Sequence, residues 1–304
     1  MDTKATTTTT PMDGLLESER GWVSVIADLV KARLTLLVLL TTLVGFYLGT
    51  AGRVDWVLLT HTMLGTALVA SGAAALNQLL ERDYDALMRR TRNRPLPSGR
   101  MQPATVMLFG GVCACAGLLE LALAVNLATS VVGAVSLLSY LFIYTPLKRV
   151  TWLNTAVGAV PGGLPPLMGW TAARGELSGE GWALFAILAF WQLPHFLAIA
   201  WMYRDEYAKA GFKMLPVVDP DGRRTGRQAV SHTLALLPVS LCPFLFRLSG
   251  PIYLAGALAL GLLFLGCAIQ FARDLSLPRA RRLFFMSIIY LPLLLIAMVF
   301  DKVK

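Results

Sequence analysis

One run of side chains stands out as chemistry: Asn77-Gln-Leu-Leu-Glu81-Arg-Asp83-Tyr-Asp85, directly after an apolar stretch. Positions four apart on a helix differ by about 40°, so Asn77, Glu81 and Asp85 share one face. Asp83 points away from that line unless the helix has unwound. Oxygen ligands at this spacing suit Mg²⁺, which takes carboxylates with phosphate oxygens and water. By spacing alone, an ordinary charged helix end at a membrane surface remains the alternative. Next comes Arg89-Arg-Thr-Arg92-Asn-Arg94-Pro-Leu-Pro-Ser-Gly-Arg100. Arginine forks match phosphate oxygens, and Pro95 and Pro97 stiffen the segment that carries them. Most of these arginines are expected to be membrane-side charge. Acids and an Arg–Pro segment side by side are what a Mg²⁺–diphosphate site requires.

A second cluster repeats the chemistry: Tyr203-Arg204-Asp205-Glu206-Tyr207-Ala-Lys209-Ala-Gly211. Asp205 and Glu206 add acids, Arg204 and Lys209 add cations, and the two clusters could close over one diphosphate. Lys148 and Arg149, in YTPLKRVTWLN, add charge on the same side.

These residues need elements to hold them, and composition says which kind. Of 304 residues, 56% are hydrophobic and 15% charged, against about 25% charged in soluble domains. Nine apolar segments are long enough to cross a bilayer as helices: 30–50, 56–80, 104–124, 127–146, 151–170, 181–203, 229–248, 251–271 and 283–300. The runs are continuous and too long for barrel strands. The expected fold is all-α: a polytopic membrane protein with nine transmembrane helices around a central cavity. Residues 1–20, polar and Thr-rich, are expected to form a disordered tail, and 21–304 one intramembrane domain. The Gly- and Pro-rich stretch 157–169 should kink or break the fifth helix, a feature tolerated where backbone lines a cavity.

All but five of the 27 Lys and Arg residues then fall on one side, the exceptions being Arg53, Arg174, Arg247, Lys302 and Lys304. The positive-inside rule puts that side, the N-terminus and both acid clusters in the cytoplasm. It also accounts for the net charge of +9 without nucleic acid, since no soluble basic domain is left to bind any. Cys113, Cys115, Cys242 and Cys267 lie in apolar stretches without a CxxC pair, which suggests packing rather than zinc or disulfides.

NQLLERDYDALMRRTRNRPLPSG resembles the first aspartate-rich motif of the UbiA-type intramembrane prenyltransferases. Within that superfamily, YTPLKRVTWLNTAVGAVPGGLPPLMGW and WQLPHFLAIAWMYRDEYAKAGFKMLPVV resemble the protoheme IX farnesyltransferase branch. The likeness runs from about residue 25 to the C-terminus. Two departures stand out: Glu81 replaces the usual middle Asp, and Asp205-Glu206 inverts the expected Glu-Asp order. Tyr203 and Tyr207 occupy positions where a quinone-type enzyme would carry a second acidic motif.

The resemblance implies farnesyl transfer from farnesyl diphosphate to a vinyl group of protohaem IX, with water added, giving haem O and diphosphate. It implies Mg²⁺ held by Asn77, Glu81 and Asp85, with Asp205 or Glu206 assisting. Arg94, Lys148, Arg204 and Lys209 become diphosphate candidates. It further implies a bacterial inner membrane, a site facing the cytoplasm, and hand-over of product to haem A synthase or oxidase assembly proteins. His195, beside Pro194 inside the sixth segment, becomes the candidate for orienting the porphyrin, since intramembrane ionisable groups are functional by default. A helix-packing hydrogen bond competes with that role. His61 and His232 read as structural. Other classes remain open at this point: a prenyltransferase for a quinone or aromatic lipid, a secondary transporter, or a non-catalytic assembly factor.

Overall fold

The computed structural model describes residues 21–303, so the expected tail 1–20 lies outside the described residues. After a short helix over 21–29, nine long helices follow. They are α1 (Ala32–Gly49), α2 (Trp56–Asp85), α3 (Pro103–Glu120), α4 (Leu127–Leu138), α5 (Asn154–Arg174), α6 (Gly179–Met202), α7 (Arg223–Leu245), α8 (Pro251–Arg273) and α9 (Leu277–Phe300). A π-helical turn, Leu121–Val125, carries α3 onward. Another, Ser139–Tyr144, carries α4 into the short helix Thr145–Val150. No β-strand occurs among the described residues; one isolated bridge pairs Ser249 with Lys302.

Eight of these helices are long and apolar enough to cross a membrane; α5 is not among them. The sequence counted α5 as a ninth span. It does form a helix of 21 residues, but three prolines and several glycines dilute its apolar character. The outward faces of the other helices leave Leu108, Leu123, Ile252 and Phe300 more than two-thirds exposed. Large apolar surface of that kind belongs in lipid.

The expected break in the fifth helix does not occur: α5 is continuous. Pro165 has no N–H to give the Pro161 carbonyl, and Pro166 has none for Gly162. Of these two, the Pro161 carbonyl finds a donor on a neighbouring helix, and two further α5 carbonyls also accept from neighbours. Ser136 Oγ donates to the Pro161 carbonyl at 3.1 Å, Gln192 Nε2 to the Ala159 carbonyl at 3.0 Å, and Thr42 Oγ1 to the Pro165 carbonyl at 3.2 Å. Side chains from α4, α6 and α1 thus satisfy carbonyls of α5, as polar groups in lipid-embedded helices must be satisfied. The glycines serve contact: a Cβ on Gly45 would overlap the Pro166 carbonyl, and one on Gly169 the Thr42 carbonyl. Small residues let α1 and α5 approach backbone to backbone.

Several helices run further than hydropathy suggested. α2 continues to Asp85, α7 begins at Arg223 and α9 at Leu277. Arginine is a good helix former, so a helix persists past the point where its side chains turn polar. At the other end of α2, Asp55 Oδ1 accepts from the backbone N–H of Val57 and of Leu58, both at 3.0 Å, the usual N-cap arrangement. Asn126 starts α4 the same way, accepting from Thr129 N–H at 2.8 Å while its amide donates to the Thr171 carbonyl of α5.

α1, α2, α4, α5 and α6 enclose a cavity of about 480 Å³ to which α3, α7, α8 and α9 contribute no residue. Instead, α3 packs along α2, while α7 and α9 pack against α6 with α8 between them.

Candidate active site

The cavity has a charged end and an apolar body. Along α2 its lining runs from Asp85, Glu81 and Asn77 back to Val69 and Thr66, roughly 28 Å of helix at 1.5 Å per residue. The helix stays intact to Asp85, so Asn77, Glu81 and Asp85 form one buried file at intervals of four. Each member meets a cation from a different part of the chain. Lys31 Nζ donates to Asn77 Oδ1 at 2.7 Å, Lys148 Nζ to Glu81 Oε1 at 2.7 Å, and Arg94 Nη1 to Asp85 Oδ2 at 2.6 Å.

The local folding that delivers each cation is specific. Gln78 Nε2 donates to the carbonyls of Asp28 and Leu29, tying the 21–29 helix to α2. Lys31 follows in a left-handed conformation, φ 49° and ψ 55°, and enters the cavity beside Tyr140. A non-glycine residue rarely adopts that conformation, and such residues cluster at functional sites. Burial first, and Arg94 nearby, push the Lys31 amine down to about 7. Thr91 Oγ1 donates to the Asp85 carbonyl at 2.8 Å and folds the Arg–Pro segment back over the end of α2. The π-turn in α4 aims both Tyr140 and Tyr144 at the cavity, a common use of such turns. The Tyr144 ring lies 4.4 Å from Lys148 Nζ.

The oxygen donors fit a hard divalent cation. Two carboxylates and an amide oxygen line one wall, and each carboxylate spends one oxygen on its cation. Mg²⁺ is ordinarily held by one or two carboxylates plus substrate phosphates and waters, so two suffice. No group of three or more His, Cys, Asp or Glu that could hold a metal ion exists among the described residues.

Comparison with known proteins assigns this architecture. A sequence profile described as the UbiA prenyltransferase family matches residues 38–289. The protoheme IX farnesyltransferase of Solibacter usitatus is 49% identical over 284 residues, spanning 90% of this chain and 97% of that protein. This chain belongs to the UbiA prenyltransferase family. The protoheme IX farnesyltransferase of Myxococcus xanthus is 45% identical and spans 96% of this chain and 99% of its own. Among solved structures, a digeranylgeranylglyceryl phosphate synthase shares the fold at a TM-score of 0.77 with 15% identity, covering 92% of this chain and 98% of that one. A UbiA homologue from Archaeoglobus fulgidus bound to GPP and Mg²⁺ shares it at 0.66 with 16% identity, covering 90% and 99%. The UbiA-family chain is therefore a prenyltransferase and an integral membrane protein.

The second cluster of this UbiA-family protein is placed differently from expectation. Arg204, Asp205, Glu206 and Lys209 do not line the cavity. α6 stops at Met202, Tyr203 leaves helical geometry, and a separate short helix, Arg204–Lys209, turns the polar residues outward. Asp205 is 89% exposed beside Arg204, whose guanidinium stacks on Trp201. Lys209 is exposed. Glu206 instead accepts from the backbone N–H of Arg90 at 3.4 Å. The segment reaches the cavity through Tyr207, Phe212 and Met214. Arg90 stacks over the rings of Tyr203 and Tyr207 and donates to the Tyr207 hydroxyl, joining the Arg–Pro segment to the short helix Arg204–Lys209.

Asn77, Glu81, Asp85, Arg94, Lys148 and His195 all line the cavity. Sequence reasoning missed Lys31 and Tyr140. Lys31 counts in the sequence only as basic charge; its place at the very start of the first apolar segment was the available signal. Tyr140 gave none, because a π-turn sets its direction. The two histidines read as structural stay outside the cavity: His61 Nδ1 pairs with Glu120 Oε1 at 2.6 Å, and His232 borders a small gap between α5, α6 and α7.

Proposed function

We propose that this prenyltransferase moves a farnesyl group from farnesyl diphosphate to a vinyl group of protohaem IX, with water, giving haem O and diphosphate. The observation that carries the reading is the cavity itself. A buried file of oxygens and cations occupies one end, and an apolar chamber containing His195 occupies the rest. A prenyl diphosphate has that same division between charge and hydrocarbon, and protohaem is a large apolar partner. The acceptor is favoured by relatives named protoheme IX farnesyltransferase at 49% and 45% identity.

In this reading Asn77, Glu81 and Asp85 hold Mg²⁺. The ion supplies positive charge for the departing diphosphate. Lys148, Arg94 and Lys31 grip the phosphate oxygens and stabilise the charge that builds on them, the type of interaction that contributes most in such reactions. The bond between farnesyl C1 and the bridging oxygen breaks, and its electron pair leaves with diphosphate. The terminal vinyl carbon of haem uses its π pair to bond to C1. The porphyrin spreads the positive charge left on the adjacent carbon. Water bonds there as hydroxyl, and its proton goes to diphosphate. The apolar walls, among them Leu37, Val69, Leu137 and Met168, hold the chain and keep bulk water from the cation. His195 faces the porphyrin. The charged end lies on the cytoplasmic side of a bacterial inner membrane, and the product passes to haem A synthase or oxidase assembly proteins.

Purified protein incubated with protohaem, farnesyl diphosphate and Mg²⁺ should yield a pigment heavier by one farnesyl group and one hydroxyl group, read by mass spectrometry. Prenylation of a quinone precursor with protohaem left unchanged would overturn the reading.

A further inference from the structure

His195 is half-buried on α6, and its surroundings fix more than its position. Its ring lies between Trp191 and Phe284, with centroids 5.1 Å and 5.0 Å away and planes within 22° and 27°. That stacking sets the plane of the imidazole. A hydrogen bond sets its rotation: Nδ1 lies 2.7 Å from Ser287 Oγ on α9. Ser287 is fully buried and lies behind the cavity wall rather than in it.

The direction of that hydrogen bond follows from a second contact. Ser287 Oγ is still closer to the Phe284 carbonyl oxygen. Two oxygens that close require a hydrogen between them, and only the serine hydroxyl has one to give. The hydroxyl proton is thereby committed to Phe284. The contact with His195 must then use a hydrogen of the imidazole, so Nδ1 carries the proton and Nε2 carries a lone pair. Nε2 has no hydrogen-bond partner among the described residues, while the ring lines the cavity. Ser287 is itself anchored to α6, because its carbonyl accepts from Trp191 Nε1 at 2.7 Å. One residue of α9 therefore holds both the imidazole and one of the rings that sandwich it.

A neutral imidazole with one nitrogen protonated onto a fixed oxygen and the other bare is the usual form of a histidine bound to a metal. We infer that Ser287 is a positioning residue which locks His195 in the Nδ1–H form so that Nε2 ligates the iron of the porphyrin substrate. The inference rests on the proposed reading that His195 meets haem. Ligation through iron would fix the porphyrin's plane and the position of its vinyl edge without any contact to the vinyl groups themselves.

The test is haem titration of detergent-solubilised protein, followed by the Soret band and by electron paramagnetic resonance of the ferric complex. Ser287→Ala should weaken haem binding by about 10- to 100-fold, the range typical for loss of such a supporting partner, and should alter the axial-ligand signature. Ser287→Thr keeps the hydroxyl and should restore both. The KM for farnesyl diphosphate should stay within about twofold in each, which a general loosening of the fold would not allow. If Ser287→Ala does not reach the membrane folded, Ser287→Cys, a poor acceptor of similar size, carries the same comparison. Loss of the signature in His195→Ala but its full retention in the Ser287 variants would overturn the positioning role alone. Wild-type affinity and signature in His195→Ala would overturn the haem reading of His195, and the inference with it.

Discussion

Asp85 lines the cavity with one carboxylate oxygen engaged by Arg94. Asp85→Asn keeps an oxygen for Arg94 but removes the charge a divalent ion needs. Turnover should fall by about 10²–10³, the cost typical of losing one group that stabilises developing charge. Release of diphosphate is the measurement, alongside normal yield of membrane-inserted protein. Lys31→Met should raise the KM for farnesyl diphosphate about tenfold or more while haem binding holds, because a charge-assisted contact to phosphate is lost. By contrast, Arg204→Ala and Lys209→Ala should change kcat/KM by less than about twofold, because neither side chain lines the cavity. The spacing of Asn77, Glu81 and Asp85 was readable because a helix converts it directly into a shared face. Asp205 and Glu206 lie outside the cavity lining for the complementary reason. Their residue types repeat the chemistry, but the helix carrying them is a new one, and nothing in the local sequence says where it turns. Lys31 looked like any cytoplasmic flank residue until its backbone conformation sent it inward.

Among the elements, α1 and α5 depend on contact without side chains between them. Gly169→Ala would force these helices apart and should destabilise the protein by about 1–3 kcal/mol, as overpacking does. A shortened half-life in detergent at fixed temperature is the readout. Activity should fall with it, since α5 carries Pro161, Gly162 and Pro165 of the cavity wall. The long apolar segments were visible in the sequence because their length and composition match a bilayer. Their ends were not: hydropathy stops at the first arginines, whereas the hydrogen-bonded helix of α7 or α9 continues through them. The continuity of α5 was equally hidden. Whether three prolines break a helix depends on who takes up the freed carbonyls, and Ser136, which takes the Pro161 carbonyl, comes from another helix. The π-turn at Ser139–Tyr144 belongs to the same class, since its sequence, SYLFIY, is unremarkable for a membrane helix.

For the molecule as a whole, the inner helices build the chamber while α3, α7, α8 and α9 brace it. Chelation should therefore stop turnover without disturbing the porphyrin side of the chamber. With EDTA in excess, haem should bind with unchanged affinity by absorbance while diphosphate release ceases. Continued release would remove the metal from the proposal. The division into an all-α membrane enzyme with a charged entrance was within reach of the sequence. Lopsided basic residues and one acid–arginine motif point the same way. The identity of the brace was not, because which helices touch is decided by packing surfaces that a single chain does not display.

The paired entrance has a consequence for how the enzyme loads. Glu81 and Asp85 are each already neutralised, by Lys148 and Arg94. A divalent ion arriving first would crowd those cations, and a pyrophosphate ester arriving first would confront two carboxylates. Under the proposed function, arriving together would let Lys148 and Arg94 trade a carboxylate for a phosphate while the carboxylates take the ion. Calorimetry with a non-hydrolysable farnesyl analogue should accordingly show strong synergy, each solute binding weakly unless the other is present.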